Sequence, residues 1–181
     1  MRRSDEHQSF AEVARLFDER KTALESFFKG QLPGRSKKEM EEIKKRLAYH
    51  MREAEYDASL ALFGAVEAAF RLDFILRQRM RKWKDSRSLE ARQVAKSTRS
   101  DHSRISIFKL FDLMTFDNDI SVPKLTIDRL KFYFRYRNWL AHGRYWKLPL
   151  NFMKPTFTDI YQIAQITANG LRSELIVNLN N

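Results

Sequence analysis

The chain has 181 residues, no cysteine, a formal charge of +11 and a pI near 10.0. Without thiols there can be no disulfides, thiolate catalysis or cysteine-ligated zinc, which suits a reducing cytoplasm. A hydrophobic fraction of 43% with 14 Phe, 3 Trp and 6 Tyr excludes a disordered chain and suffices for one packed domain.

Five Gly and four Pro leave few breaks, which favours long helices over many short strands. The first predicted helix runs from about Asp5 to Lys29, with Phe10, Val13, Phe17, Leu24, Phe27 and Phe28 at helical spacing. Gly30 and the Pro33-Gly34 pair end it. Ser36-Lys37-Lys38-Glu39 has the form of a capping box and opens a second helix that continues to about Lys84. A helix of that length spans roughly 70 Å, so a bend near His50 or Gly64 is expected. The two helices read as an antiparallel hairpin. Within the second, the apolar run Ala58–Phe70 is too short for a membrane span and carries Glu67, so it reads as buried. No apolar run follows Met1-Arg2-Arg3, so no secretion signal is expected. The expected protein is soluble and cytoplasmic, with no membrane partner.

Residues 85–104 are rich in Ser and Arg and read as a short basic helix. Arg87, Arg92, Lys96, Arg99 and Arg104 either grip phosphates or form a solvated face. Ser103–Thr115 reads as another short helix with Ile105, Phe108 and Leu113 inward, followed by a turn at Asp117-Asn118-Asp119. Pro123 suits a first helical residue, and the helix it opens runs to His142. Tyr145–Pro155 reads as a loop. Thr156 with Asp159 then caps a last helix, Phe157 to about Val177, before a polar tail. The fold class is an all-α bundle with a long N-terminal helical hairpin. Residues 1–35 pack as an added helix on a domain formed by 36–181.

Within the Pro123–His142 helix, Lys124, Asp128, Lys131, Arg135, Asn138 and His142 share one polar stripe. Leu125, Phe132, Tyr136, Trp139 and Leu140 take a neighbouring face; Ile127, Leu130, Phe134 and Ala141 take much of the rest. Arg137 lies about 140° around the helix from His142, among apolar residues. A buried guanidinium needs an acid or a phosphate. Glu67 is one candidate partner and Asp73 another, although Glu67 is equally placed to pair with Arg71 one turn along its own helix.

The stretch Arg137-Asn138-Trp139-Leu140-Ala141-His142-Gly143 carries the chemistry. An imidazole can take and give protons near neutral pH, and a guanidinium matches phosphate oxygens in a planar fork. A base for a 2′-hydroxyl beside a cation for a phosphorane is sufficient to cut RNA without metal. His7, His50 and His102 lie far apart, and no phosphate-binding loop or dinucleotide glycine pattern occurs, so no metal or cofactor is expected.

Arg137, Asn138 and His142, with four residues between the arginine and the histidine, resemble the signature of the HEPN superfamily. The resemblance implies a HEPN-type helical bundle that dimerises with the motifs facing a shared cleft. It also implies a metal-independent endoribonuclease leaving 2′,3′-cyclic phosphate and 5′-hydroxyl ends. Arg137 and His142 would then converge either across a homodimer or by His142 swinging where the helix loosens at Gly143. In this reading His142 is the general base or acid, Arg137 stabilises the phosphorane, and Asn138 orients the histidine or binds a phosphate oxygen. Arg144, Tyr145, Arg135 and Lys131 are candidate RNA contacts, and Trp146 packs the loop. Such an enzyme fits a toxin or antiviral effector held by an antitoxin or regulatory protein. Some HEPN toxins carry a modifiable tyrosine two positions after the histidine; here that position is Arg144, so this regulation does not carry over. The alternatives are a non-catalytic RNA- or nucleotide-binding module and a helical interaction protein built on the hairpin of residues 5–60.

Overall fold

The computed structural model describes residues 8–97, 105–115, 122–144, 147 and 153–171. Among them are six helices and no strand: α1 (Phe10–Gly30), α2 (Lys37–Arg79), α3 (Ser86–Ser97), α4 (Ile107–Leu113), α5 (Lys124–Ala141) and α6 (Phe157–Ala168). The fold is an all-α bundle.

Local chemistry explains most boundaries. Ser9 caps α1 by accepting from the Glu12 N–H at 3.1 Å, so this helix starts at Phe10, the first residue of its hydrophobic pattern, and not near Asp5. Ser36 and Glu39 form the expected capping box of α2, as do Thr156 and Asp159 for α6. Pro123 sits at the N-cap of α5, one place before the first helical turn. α6 stops at Ala168, short of Val177, and turns through Asn169 and Gly170. The Asp117-Asn118-Asp119 turn and the polar tail fall outside the described residues.

α2 is a single helix of 43 residues, about 65 Å long, with no interruption at His50 or Gly64. Gly64 faces open space, so it breaks nothing and merely tolerates its helical place. α1 runs antiparallel beside α2: Phe28 meets His50 at 5.5 Å between rings, and Arg20 reaches Asp57 at 2.8 Å. Phe10 and Val13 enter the common core, and Phe17 packs on Phe157 of α6 at 4.6 Å.

The centre is a chain of phenylalanines packed edge to face. Phe70 meets Phe111, Phe111 meets Phe134, and Phe134 meets Phe63, at 4.8, 4.9 and 5.1 Å between centroids. Each buried ring contributes about 1.5–3 kcal/mol by burial, and each pair a further 0.5–1.5 kcal/mol or so. These contacts fix α4 and α5 on α2.

A second, polar centre lies where α2 meets α3. Arg77 donates to Asp73 at 2.7 Å and to Asp85 at 2.9 Å. Arg87 is buried, lies 3.6 Å from Asp73 and donates to the Gly170 carbonyl at 2.8 Å. Arg92 donates to the carbonyls of Arg77 and Trp83, capping the end of α2. Arg87 and Arg92 therefore neither grip phosphate nor form a solvated face; they tie two helices together. Lys96 is exposed, and Arg99 and Arg104 lie outside the described residues.

The two glycines predict opposite outcomes. Gly64→Ala should raise stability by about 0.5–1 kcal/mol in urea denaturation, since alanine removes backbone freedom without meeting any atom. Gly170→Ala should lower it by about 1–3 kcal/mol, because its Cβ would lie 2.5 Å from Val122 and 2.6 Å from Met114. Asp73→Asn, measured the same way, should cost about 3 kcal/mol by leaving buried guanidinium charge uncompensated.

Candidate functional site

The site is built at the C-terminal end of α5. His142 is the C-cap residue, and its N–H still donates to the Asn138 carbonyl at 3.1 Å. A Schellman closure follows: Gly143 donates to the Leu140 carbonyl at 3.2 Å and Arg144 to the Trp139 carbonyl at 3.1 Å. This closure requires a left-handed residue after the cap, and Gly143 supplies it with φ of 75°. The helical hydrogen bonding therefore reaches the His142 N–H, while its ψ of 20° already departs from the helix. His142 is exposed to solvent, and helical spacing puts its position about 140° around α5 from Arg137.

Arg137 meets α2. Its Nη2 lies 3.5 Å from Glu67 Oε2, and its Nη1 donates to Asn138 Oδ1 at 3.3 Å. Glu67 also accepts from Arg71 at 3.0 and 2.8 Å, and Arg71 donates to the Ile105 carbonyl at 3.2 Å. Both pairings open in the sequence thus occur together on one carboxylate. Asp73 is engaged by Arg77 and Arg87 instead. Two guanidiniums around one carboxylate leave a net positive charge, with 36% of the Arg137 side chain exposed. That suits contact with an added anion.

The remaining sequence candidates divide. Arg144 is left-handed, with φ of 60°, a conformation that costs a side-chain-bearing residue about 1–2 kcal/mol. Glu53 of α2 holds it through two bonds of 2.8 and 2.9 Å, and its guanidinium lies 4.9 Å from the Tyr56 ring centre. Lys131 is bound to Asp112 of α4. Arg135 is exposed and makes no ion pair among the described residues. Tyr145 and Trp146 lie outside the described residues. Of the faces assigned to α5, Leu125 and Ala141 are exposed rather than packed.

Glu53 and Tyr56 were not legible as partners, since their only sequence signal is one-turn spacing on a helix far from Arg144. Around them Tyr136 stacks on Trp139 at 5.6 Å, Tyr56 meets Trp139 edge-on at 6.2 Å, and Lys154 lies 4.9 Å above the Trp139 ring centre. Burial, aided by nearby Tyr56 and Glu55, pushes the Tyr136 phenol well above its ordinary range. Trp139 is 7% exposed and walled by these groups, so it serves packing rather than base stacking. Among the described residues no cluster of metal-ligating side chains occurs, and no helix is long and apolar enough to cross a membrane.

No family model, curated protein or solved structure matches this chain.

The hydrogen bonds from Arg144 hold the Glu53 carboxyl below the usual carboxylate range against the opposing effect of burial. A folded pKa below the unfolded one stabilises fully above the unfolded value, near 4.3, and is lost as pH falls through the depressed folded value. Glu53→Gln should therefore cost about 0.5–1 kcal/mol at neutral pH, discounted for the exposure of the pair. The difference from wild type in thermal melts should shrink steadily below about pH 4.

Proposed function

We propose that the chain is a metal-independent endoribonuclease of the HEPN type, working as a homodimer with Arg137 and His142 of facing copies at one scissile phosphate. The observation that carries this reading is the Glu67–Arg137 pair: it keeps a guanidinium at the surface, ordered yet more than one-third exposed, while the histidine of the same motif stands in solvent at the helix end.

In this mechanism His142 takes the proton of the ribose 2′-hydroxyl as the oxygen attacks phosphorus, or returns a proton to the departing 5′-oxygen. Arg137 neutralises the charge that grows on the phosphorane oxygens, and Glu67 orients Arg137. Asn138 shares a hydrogen bond with Arg137 and so aligns the same guanidinium. Positioned proton transfer supplies about 10²–10⁴-fold, and a fixed cation at the developing charge a comparable factor. The divergence of the two side chains on α5 is why the reading needs a second copy. A neutralising partner protein, and a role in toxin–antitoxin or antiviral systems, belong to the same proposal.

The divergence equally supports a second reading, a non-catalytic RNA-binding module. Incubating the purified chain with RNA in EDTA separates the two. The expected result is cleavage to 2′,3′-cyclic phosphate and 5′-hydroxyl ends, with Arg137→Ala and His142→Ala each lowering the rate by about 10²–10⁴-fold while the helical circular dichroism signal persists. Intact RNA bound with a steep salt dependence would establish the module instead. A strict monomer in scattering, together with no cleavage, would remove the composite site.

A further inference from the structure

α2 ends at Arg79, and the turn that leads from it to α3 carries Arg81, Lys82 and Lys84; all four are exposed. Among the described residues their side chains make no ion pair, hydrogen bond or ring contact. Of the acids nearest in sequence, Asp73 and Asp85 point inward to Arg77, Arg87 and Ser88, and Glu90 makes no ion pair with the four cations. The turn itself is pinned. Arg92 of α3 donates to the carbonyls of Arg77 and Trp83 at 3.2 and 2.8 Å, and the Trp83 N–H bonds the Met80 carbonyl at 3.0 Å.

Four cations within six residues repel one another, and a polyanion relieves that repulsion. Met80 and Trp83 are half-buried, so no large apolar side chain of the turn stands free. An amphipathic segment that inserts into a lipid interface needs such side chains beside its cations. A phosphodiester chain needs only the charges. We infer that the α2–α3 turn is a second docking point for single-stranded RNA, distinct from Arg137 and His142. The inference rests on the RNA reading above for the identity of the polyanion, but it requires no cleavage. Arg79 follows Glu67 by twelve residues, about 18 Å along α2, a length that a strand of several nucleotides spans.

The test measures fluorescence anisotropy of labelled oligouridine, about 4 and about 16 nucleotides long, in EDTA from about 50 to about 200 mM salt. The full chain carries His142→Ala to keep the RNA intact, with and without Arg81→Glu, Lys82→Glu and Lys84→Glu. The same positions changed to Gln, with melting temperature unchanged, guard against a folding defect. The long RNA should bind about tenfold more weakly to the triple variants, and in the Gln variant the slope of log affinity against log salt should fall by about 0.7 for each contact removed. The short RNA should be affected less. Equal affinity and slope in all variants overturns the inference, as does wild-type binding to phosphatidylserine vesicles, but not RNA, through these residues. Should RNA dock through the turn yet survive incubation with the His142-intact chain, the docking stands and the ribonuclease falls. If RNA is cut while the turn variants bind it like wild type, the ribonuclease stands and the docking falls.

Discussion

Phe111 lies edge-on between Phe70 and Phe134, and this contact sets where everything else can sit. It is a ring of α4 that touches both α2 and α5. Phe134 is in turn braced by Phe63, so α5 is fixed on α2 in both position and rotation. Glu67 follows Phe63 by one turn on α2, and Arg137 follows Phe134 by nearly one turn on α5. Once the rings are packed, the carboxylate and guanidinium are already within reach. The electrostatic contact is a consequence of an apolar one, which is reasonable because packing is dense and directional while an exposed ion pair tolerates ångströms of slack.

The high positive charge is not spread evenly over the molecule. Arg71, Arg77, Arg87 and Arg92 turn toward carboxylates and carbonyl oxygens, where each guanidinium satisfies several acceptors at once. Arginine suits this work because its planar fork bridges groups that no lysine ammonium could reach together. Arg79, Arg81, Lys82, Lys84 and Arg135 stay in solvent instead. A net charge read from composition therefore overstates what a ligand meets, and it says nothing about where the field is concentrated.

The end of α5 joins both themes. Gly143 lets the helix close tightly, and Arg144 after it is also left-handed, a conformation whose cost an outside contact offsets. Glu53 and the face of Tyr56 supply that contact. The fork clamps the exit of α5 to α2, holding still the residue pair His142 and Gly143 that precedes it. Strain of this kind is commonly found where a side chain must be held for use.

By itself the sequence determined the helical class, the hairpin, the two capping boxes and the glycine closure after His142, because each depends on residues a few positions apart. The same local rules overextended α2, which stops at Met80, where Arg92 of another helix meets its last carbonyls. They also suggested a bend near His50 or Gly64, and α2 passes both as one continuous helix. Only the tertiary structure decided that Glu67 serves Arg71 and Arg137 together, that Asp73 is claimed by Arg77 and Arg87, that Arg87 is interior, and that Arg144 answers to Glu53. Those pairings join residues up to 91 positions apart. Charge and spacing cannot choose among many acids and bases of one chain; the rigid packing of the apolar rings makes that choice.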